Sequence, residues 1–183
     1  MALLTRQTLM NWCVRLAVMC SFIVPAQPGL TQETMTNEKD LKVAFLYNFM
    51  LFTEWPAELG PTLNLCIYGD DPFGSALDAL HGRAVGGRSI AVHRRGGLES
   101  LKDCQVVFFA AQPLNRLPRL FDELRGRQVL TVADTPGAAR QGVALNMIVA
   151  QNKVSFEVNL QSVRAGRLNL SSKLLRLAAE VIQ

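Results

Sequence analysis

The sequence predicts an α/β fold: a single domain with a mostly parallel β-sheet flanked by helices on both faces, ending in an antiparallel hairpin and a closing helix. Three observations predict it. Residues 105–110 (QVVFFA) and 129–133 (VLTVA) are apolar runs without alternation, the pattern of parallel strands covered on both faces. From Gly60-Pro61 onward, short apolar runs alternate with helix-forming stretches punctuated by Gly, Pro and Asp. Residues 143–150 and 153–159 are separated by Gln151-Asn152, a pair that suits a hairpin loop.

The elements follow in order. Thr36 or Asn37 caps a helix over residues 39–53, with Glu38 and Asp40 in its first turn, where the helix dipole favours negative charge. Apolar side chains occupy almost every face of it, from Leu41, Val43 and Phe45 to Phe49, Met50 and Phe52. Such a helix needs cover on more than one side. Pro56 ends it, because the residue before a proline avoids helical geometry. Residues 63–68 (LNLCIY) read as the first strand, and Gly69-Asp70-Asp71-Pro72 as a strand-to-helix turn with an Asp cap. A short helix at 73–80 and the turn Gly86-Gly87 lead to a second strand at 89–93. A helical turn at 98–102, a strand at 105–110, a helix at 113–125, a strand at 128–133 and a turn or short helix at 136–140 come next. After the hairpin, residues 168–182 read as an amphipathic helix capped by Asn169 or Ser171.

The first residues have the layout of a secretory leader. Arg6 and Arg15 give a positive start, residues 16–24 (LAVMCSFIV) a short apolar core, and Val24-Pro25-Ala26 a small-residue cleavage site. An uncut membrane anchor is the alternative, but the apolar run is about half of the ~20 residues that span a bilayer. Lipidation at Cys20 is disfavoured because Met19 precedes it and the apolar run continues past it. The expected organisation is a cleaved leader at 1–26, a flexible polar segment at 27–35 and the domain at 36–183. Losing Arg6 and Arg15 lowers the net charge of +4 by two, too mild a balance to imply nucleic acid as a partner.

Cys13 and Cys20 leave with the leader, so Cys66 and Cys104 remain. In an oxidising compartment an isolated pair bonds, closing a loop worth roughly 3–4 kcal/mol on the chain-entropy model. A redox or metal pair is the weaker reading, because CxxC spacing is absent.

Chemistry-bearing patterns are scarce. The turn Gly69-Asp70-Asp71-Pro72 lacks the glycine fingerprint of a dinucleotide site and puts two carboxylates where a phosphate would approach. Gly86-Gly87-Arg88 suggests an anion site or simply a turn. His81 and His93 have no metal-like spacing with another ligand, and GxSxG, HExxH and SxxK are absent. No catalytic residue, metal or cofactor is therefore expected, and binding is the expected activity. Three features stand out as a partner or ligand surface. They are Phe52 and Trp55 at the end of the first helix, Glu157 and Asn159 in a hairpin strand, and a basic set including Arg164, Arg167, Lys173 and Arg176. Core packing, a solvated strand face and a solvated helix face are their respective bland alternatives.

Several segments carry a resemblance. Residues 42–49 (KVAFLYNF) with Glu54-Trp55-Pro56, residues 65–74 (LCIYGDDPFG), Gly86-Gly87-Arg88, Cys104, Leu130-Thr131-Val132, residues 156–159 (FEVN) and residues 171–175 (SSKLL) together resemble the YfiR family of exported bacterial proteins. The resemblance covers essentially the whole chain after the leader. It implies an α/β fold that tends to dimerise, with the cysteines at 66 and 104 paired. It also implies a periplasmic, non-catalytic regulator that binds and represses the periplasmic portion of an inner-membrane diguanylate cyclase. Cyclic di-GMP signalling and biofilm formation then fall, and an OmpA-like outer-membrane lipoprotein can sequester the repressor. Some relatives have a second disulfide in the C-terminal half, whereas this chain has no cysteine beyond Cys104. The competing expectation is a periplasmic module binding a small molecule.

Overall fold

A strand with no polar face needs two covers, and the chain supplies them from a helix early in the sequence and another in its middle. The computed structural model describes residues 30–151 and 153–183. The leader expected at 1–26 lies outside the described residues, as do residues 27–29. The helix α1 (Leu30–Leu51) begins before the cap expected at Thr36 or Asn37. It is followed by β1 (Thr53–Glu54), β2 (Thr62–Tyr68), a single-turn α2 (Ser75–Asp78), β3 (Ala84–Val85) and β4 (Arg88–Arg95). Then come β5 (Val106–Phe109), α3 (Leu117–Leu124), β6 (Leu130–Ala133), β7 (Leu145–Ala150) and β8 (Lys153–Asn159). The chain closes with α4 (Leu160–Ala165), β9 (Asn169–Leu170), α5 (Ser172–Leu175) and β10 (Glu180–Ile182).

Eight strands form one sheet in the order β10-β8-β7-β6-β5-β2-β4-β3, while β1 and β9 pair separately. Within the large sheet β4, β2, β5, β6 and β7 run parallel, as do β8 and β10, while β3 against β4 and β7 against β8 are antiparallel. The fold class expected from the apolar runs is thus the observed one, including the hairpin. Its loop enters through Gln151, held at φ 51°.

The unbroken apolar runs are explained by the side on which each residue lands. In β5, Val106 and Phe108 join one core while Val107 and Phe109 join the other. The first core holds Val43, Leu46, Phe49 and Met50 of α1 against Leu65, Ile67, Leu145 and Phe156. Phe49 and Phe156 meet edge-on with ring centroids 5.1 Å apart. The second core packs Leu117, Leu120 and Leu124 of α3 against Cys66, Phe109, Val129 and Ala133. The extra apolar surface of α1 is partly absorbed at its flanks. Tyr47 donates its hydroxyl to the Ala84 carbonyl at 3.1 Å, and Arg83 stacks over its ring. Lys42 reaches Asp134 beyond β6 at 2.9 Å. Burial opposes the charge on Lys42, but Glu38 and Asp134 outweigh it and raise its pKa.

Two local expectations hold and one does not. Gly86 and Gly87 both adopt positive φ, as a tight β3–β4 turn requires. Asp71 Oδ1 accepts from the Phe73 and Gly74 amides, which makes it a turn-capping residue. The closing helix over 168–182 is replaced by β9, α5 and β10. Ser171 Oγ caps α5 by accepting from the Leu174 amide. The Ala179 amide then donates to the Phe156 carbonyl at 2.8 Å and starts the β10–β8 ladder. The reason is competition for backbone partners: β8 would otherwise present an open edge, and the β-branched pair Val181-Ile182 satisfies it.

Cys66 and Cys104 are bonded, joining β2 to the turn before β5 across 38 residues of sequence. Replacing both by alanine is expected to lower unfolding free energy by roughly 2–4 kcal/mol, read from urea denaturation with the far-UV spectrum unchanged. An unchanged midpoint would mean that the bridge adds nothing to the packing around it.

His93 supplies a pH dependence. Its Nε2 pairs with Asn64 Oδ1 at 3.0 Å. Burial first, then the charges of Arg95 and His81, lowers its pKa below the usual 6.5. A depressed imidazole resists protonation in the fold, so its contribution is intact above the unfolded value and lost as pH falls through it. The melting temperature is expected to decline from about pH 7 to about pH 5, and His93→Gln to lessen that decline. A decline of the same size in His93→Gln would assign it to other groups.

Candidate interaction surface

The end of α1 is built by side chains that bond its last carbonyls. Thr53 Oγ1 donates to the Phe49 carbonyl at 2.6 Å, and Trp55 Nε1 to the Met50 carbonyl at 2.8 Å. These groups would otherwise be unpaired at a helix terminus. The loop after Trp55 crosses the start of β4, where Arg88 Nη2 donates to the Pro56 carbonyl at 2.8 Å. Gly86-Gly87-Arg88 therefore makes a turn and a clamp, and its arginine faces a carbonyl rather than an anion. Opposite, β1 pairs with β9, and the Ser171 amide donates to the Phe52 carbonyl at 2.9 Å.

This corner gathers four of the residues singled out in the sequence. Phe52 and Trp55 are half-buried and pack against the first core. Lys173 is exposed on α5. Arg167 is exposed just before β9, at φ 53°, a left-handed conformation that favours glycine. Glu157 and Asn159 lie elsewhere, on the opposite face of the sheet. Their neighbours Phe156 and Val158 point into the first core, so strand alternation turns them away from α1. Glu157 accepts from Asn146 Nδ2 at 3.0 Å. Asn159 is buried and occupied at both ends. Its Nδ2 donates to the Ala139 carbonyl at 2.8 Å, and its Oδ1 caps α4 by accepting from the Ser162 amide at 2.9 Å. Only 7% exposed, it sits in the wall of the hollow between α3 and α4 rather than at the Trp55 corner.

The sequence reading missed the other face's polar features. Asn146, Glu157 and Glu180 are register neighbours across β7, β8 and β10, and Arg140 pairs with Glu180 at 2.6 Å. It also missed a basic recess at the amino ends of β5 and β6, whose residues come from five separate segments. Among the described residues no group of three or more His, Cys, Asp and Glu is placed to hold a metal ion, and no helix is long and apolar enough to cross a membrane.

A mostly parallel sheet, one disulfide and a tryptophan-anchored helix end define a single α/β domain. The chain belongs to the YfiR/HmsC-like family, whose sequence model matches residues 39–179. Solved structures agree on the fold alone. An ABC domain from Streptococcus pneumoniae, described in complex with L-Trp, superposes with a TM-score of 0.51 at 6% identity over 79% of this chain. A conserved domain protein from Vibrio cholerae gives 0.50 at 5% identity over 78%. The chain spans 60% of the length of each of those chains.

The Trp55 contacts give a direct expectation. Trp55→Phe keeps a ring in the corner but leaves the Met50 carbonyl unpaired, and should cost about 1 kcal/mol. Trp55→Ala also removes packing and should cost roughly 2 kcal/mol or more. Urea denaturation of both variants checks this. Equal stability of Trp55→Phe and the parent would remove the helix-end role.

Proposed function

We propose that this protein is a periplasmic regulator that binds the periplasmic portion of an inner-membrane diguanylate cyclase and holds it inactive. Cyclic di-GMP output and biofilm formation then fall. The observation that carries the reading is the family match over residues 39–179. The Cys66–Cys104 bond supports it, since such bonds persist in oxidising compartments. Export by a leader cleaved after Ala26 belongs to the same reading.

The partner meets the corner formed by Phe52, Trp55, Arg167 and Lys173. Half-buried aromatic rings held by core contacts make good interface anchors, because little side-chain entropy is lost on binding. The flanking cations tune orientation and association rate more than affinity. Regulation acts through protein contact rather than catalysis, and a homodimer presents two such corners. An OmpA-like outer-membrane lipoprotein competes for the protein and relieves repression.

Deleting the gene is expected to raise cyclic di-GMP, and the purified protein to bind the periplasmic portion of a membrane cyclase in a calorimetric titration. Phe52→Ala with Lys173→Glu should weaken that binding by at least ~1 kcal/mol while the fold persists. Unchanged cyclic di-GMP on deletion, with no binding in the titration, would contradict the regulator reading and favour a small-molecule module.

A further inference from the structure

We propose that the groove along the amino ends of β5 and β6 binds an acidic peptide segment of a partner protein. Two hollows adjoin there and share Gly126, Arg127 and Val129. The larger, about 530 Å³, lies between α3 and α4, with Arg125, Arg127 and Arg140 around it. The smaller, about 380 Å³, extends past Cys104 and Gln105 and is bounded by Lys102, Arg127 and Arg167. Among the described residues, neither lining contains an Asp or a Glu. The whole chain has 15 acidic residues against 19 basic ones, so composition alone does not produce that segregation.

The cations are of two kinds. Arg125 and Arg140 pair with Asp122 and Glu180 just outside the groove, but their side chains are 81% and 63% exposed. Such pairs contribute little and exchange readily for another carboxylate. Among the described side chains, Arg127 and Arg167 have no carboxylate within ion-pair distance. Arg127 is half-buried and fixed across the recess by donating Nη1 to the Lys102 carbonyl at 2.6 Å. Arg167 is held at φ 53°, a left-handed conformation that is strained for a side-chain-bearing residue. A cluster of cations with one member, Arg127, held in place attracts carboxylates from a distance and pairs with them on arrival.

Shape selects among anions. Phe121, Leu124 and Val129 form an apolar wall beside the cations, which suits a ligand with apolar groups between its charges. An isolated phosphate would occupy a small part of two joined hollows. Arg167 belongs to both the groove and the Trp55 corner, so the groove continues the partner surface proposed above. The inference rests on the regulator reading for the existence of a partner. Its test uses no partner, so the two can fail separately.

The test is fluorescence anisotropy of the exported protein with a fluorescein-labelled peptide alternating short glutamate runs with leucine. Expected is saturable binding that weakens with salt. Arg127→Glu combined with Lys102→Glu should weaken it about tenfold or more, since reversal sets like charges against each other. Arg127→Gln with Lys102→Gln, which keeps hydrogen-bonding groups in place, should show a smaller loss. Lys153→Glu at the hairpin tip, a charge change far from the groove, should leave binding unchanged. No peptide binding, an equal loss in Lys153→Glu, full displacement by inorganic phosphate, or binding only to phosphatidylglycerol vesicles would each overturn the proposal.

Discussion

Every residue of β5 and β6 is buried, so the sheet persists only while both of its faces are covered. That demand sets the remaining architecture. One face is closed by α1, through Leu46, Phe49 and Met50, and the other by α3, through Leu117, Leu120 and Leu124. A 22-residue helix is long enough to run the full length of strands of four to seven residues and beyond them. Its last turn therefore falls at the amino end of the sheet, where Thr53 and Trp55 bond its final carbonyls. The disulfide reinforces the second core, fastening the connection before β5 to the back of β2.

Covering the faces leaves the ends of the strands as the available surface. At the amino end, loops from several parts of the chain converge: the Trp55–Pro56 turn, the segment before β5, the turn after α3 and the approach to β9. None makes a binding feature alone. Together they place a held aromatic pair beside a run of cations, with the carboxylates Asp122 and Glu180 at its margin. Fixed side chains on a stiff sheet are consistent with the proposed reading of a regulator that acts by contact.

Much of this was legible in the sequence where local pattern and tertiary demand agree. Two-sided burial wrote itself into residues 105–110 and 129–133, and the Gly86-Gly87 turn and the hairpin entered at Gln151 were readable from turn chemistry. The closing segment was misread because residues 168–182 have helical spacing, whereas the free edge of β8 offered backbone partners that periodicity cannot register. The site was half legible for a similar reason. Phe52, Trp55 and Lys173 meet because β1 pairs with β9, a two-residue ladder with no pattern of its own. Glu157 and Asn159 were grouped with them on chemistry, yet the alternation of β8 sends them to the other face. The basic recess was invisible, since its cations come from positions 102, 125, 127, 140 and 167 and only the fold brings them together.

Amide hydrogen exchange of the protein with and without the periplasmic portion of a membrane diguanylate cyclase tests the central claim that the amino end of the sheet is the recognition surface. Expected is slower exchange in the segments around 55–60, 102–105, 125–129 and 167–173, with the hairpin tip near 150–153 unaffected. Slowing confined to the hairpin tip, or to the outer surface of α3, in a complex that does form would contradict it.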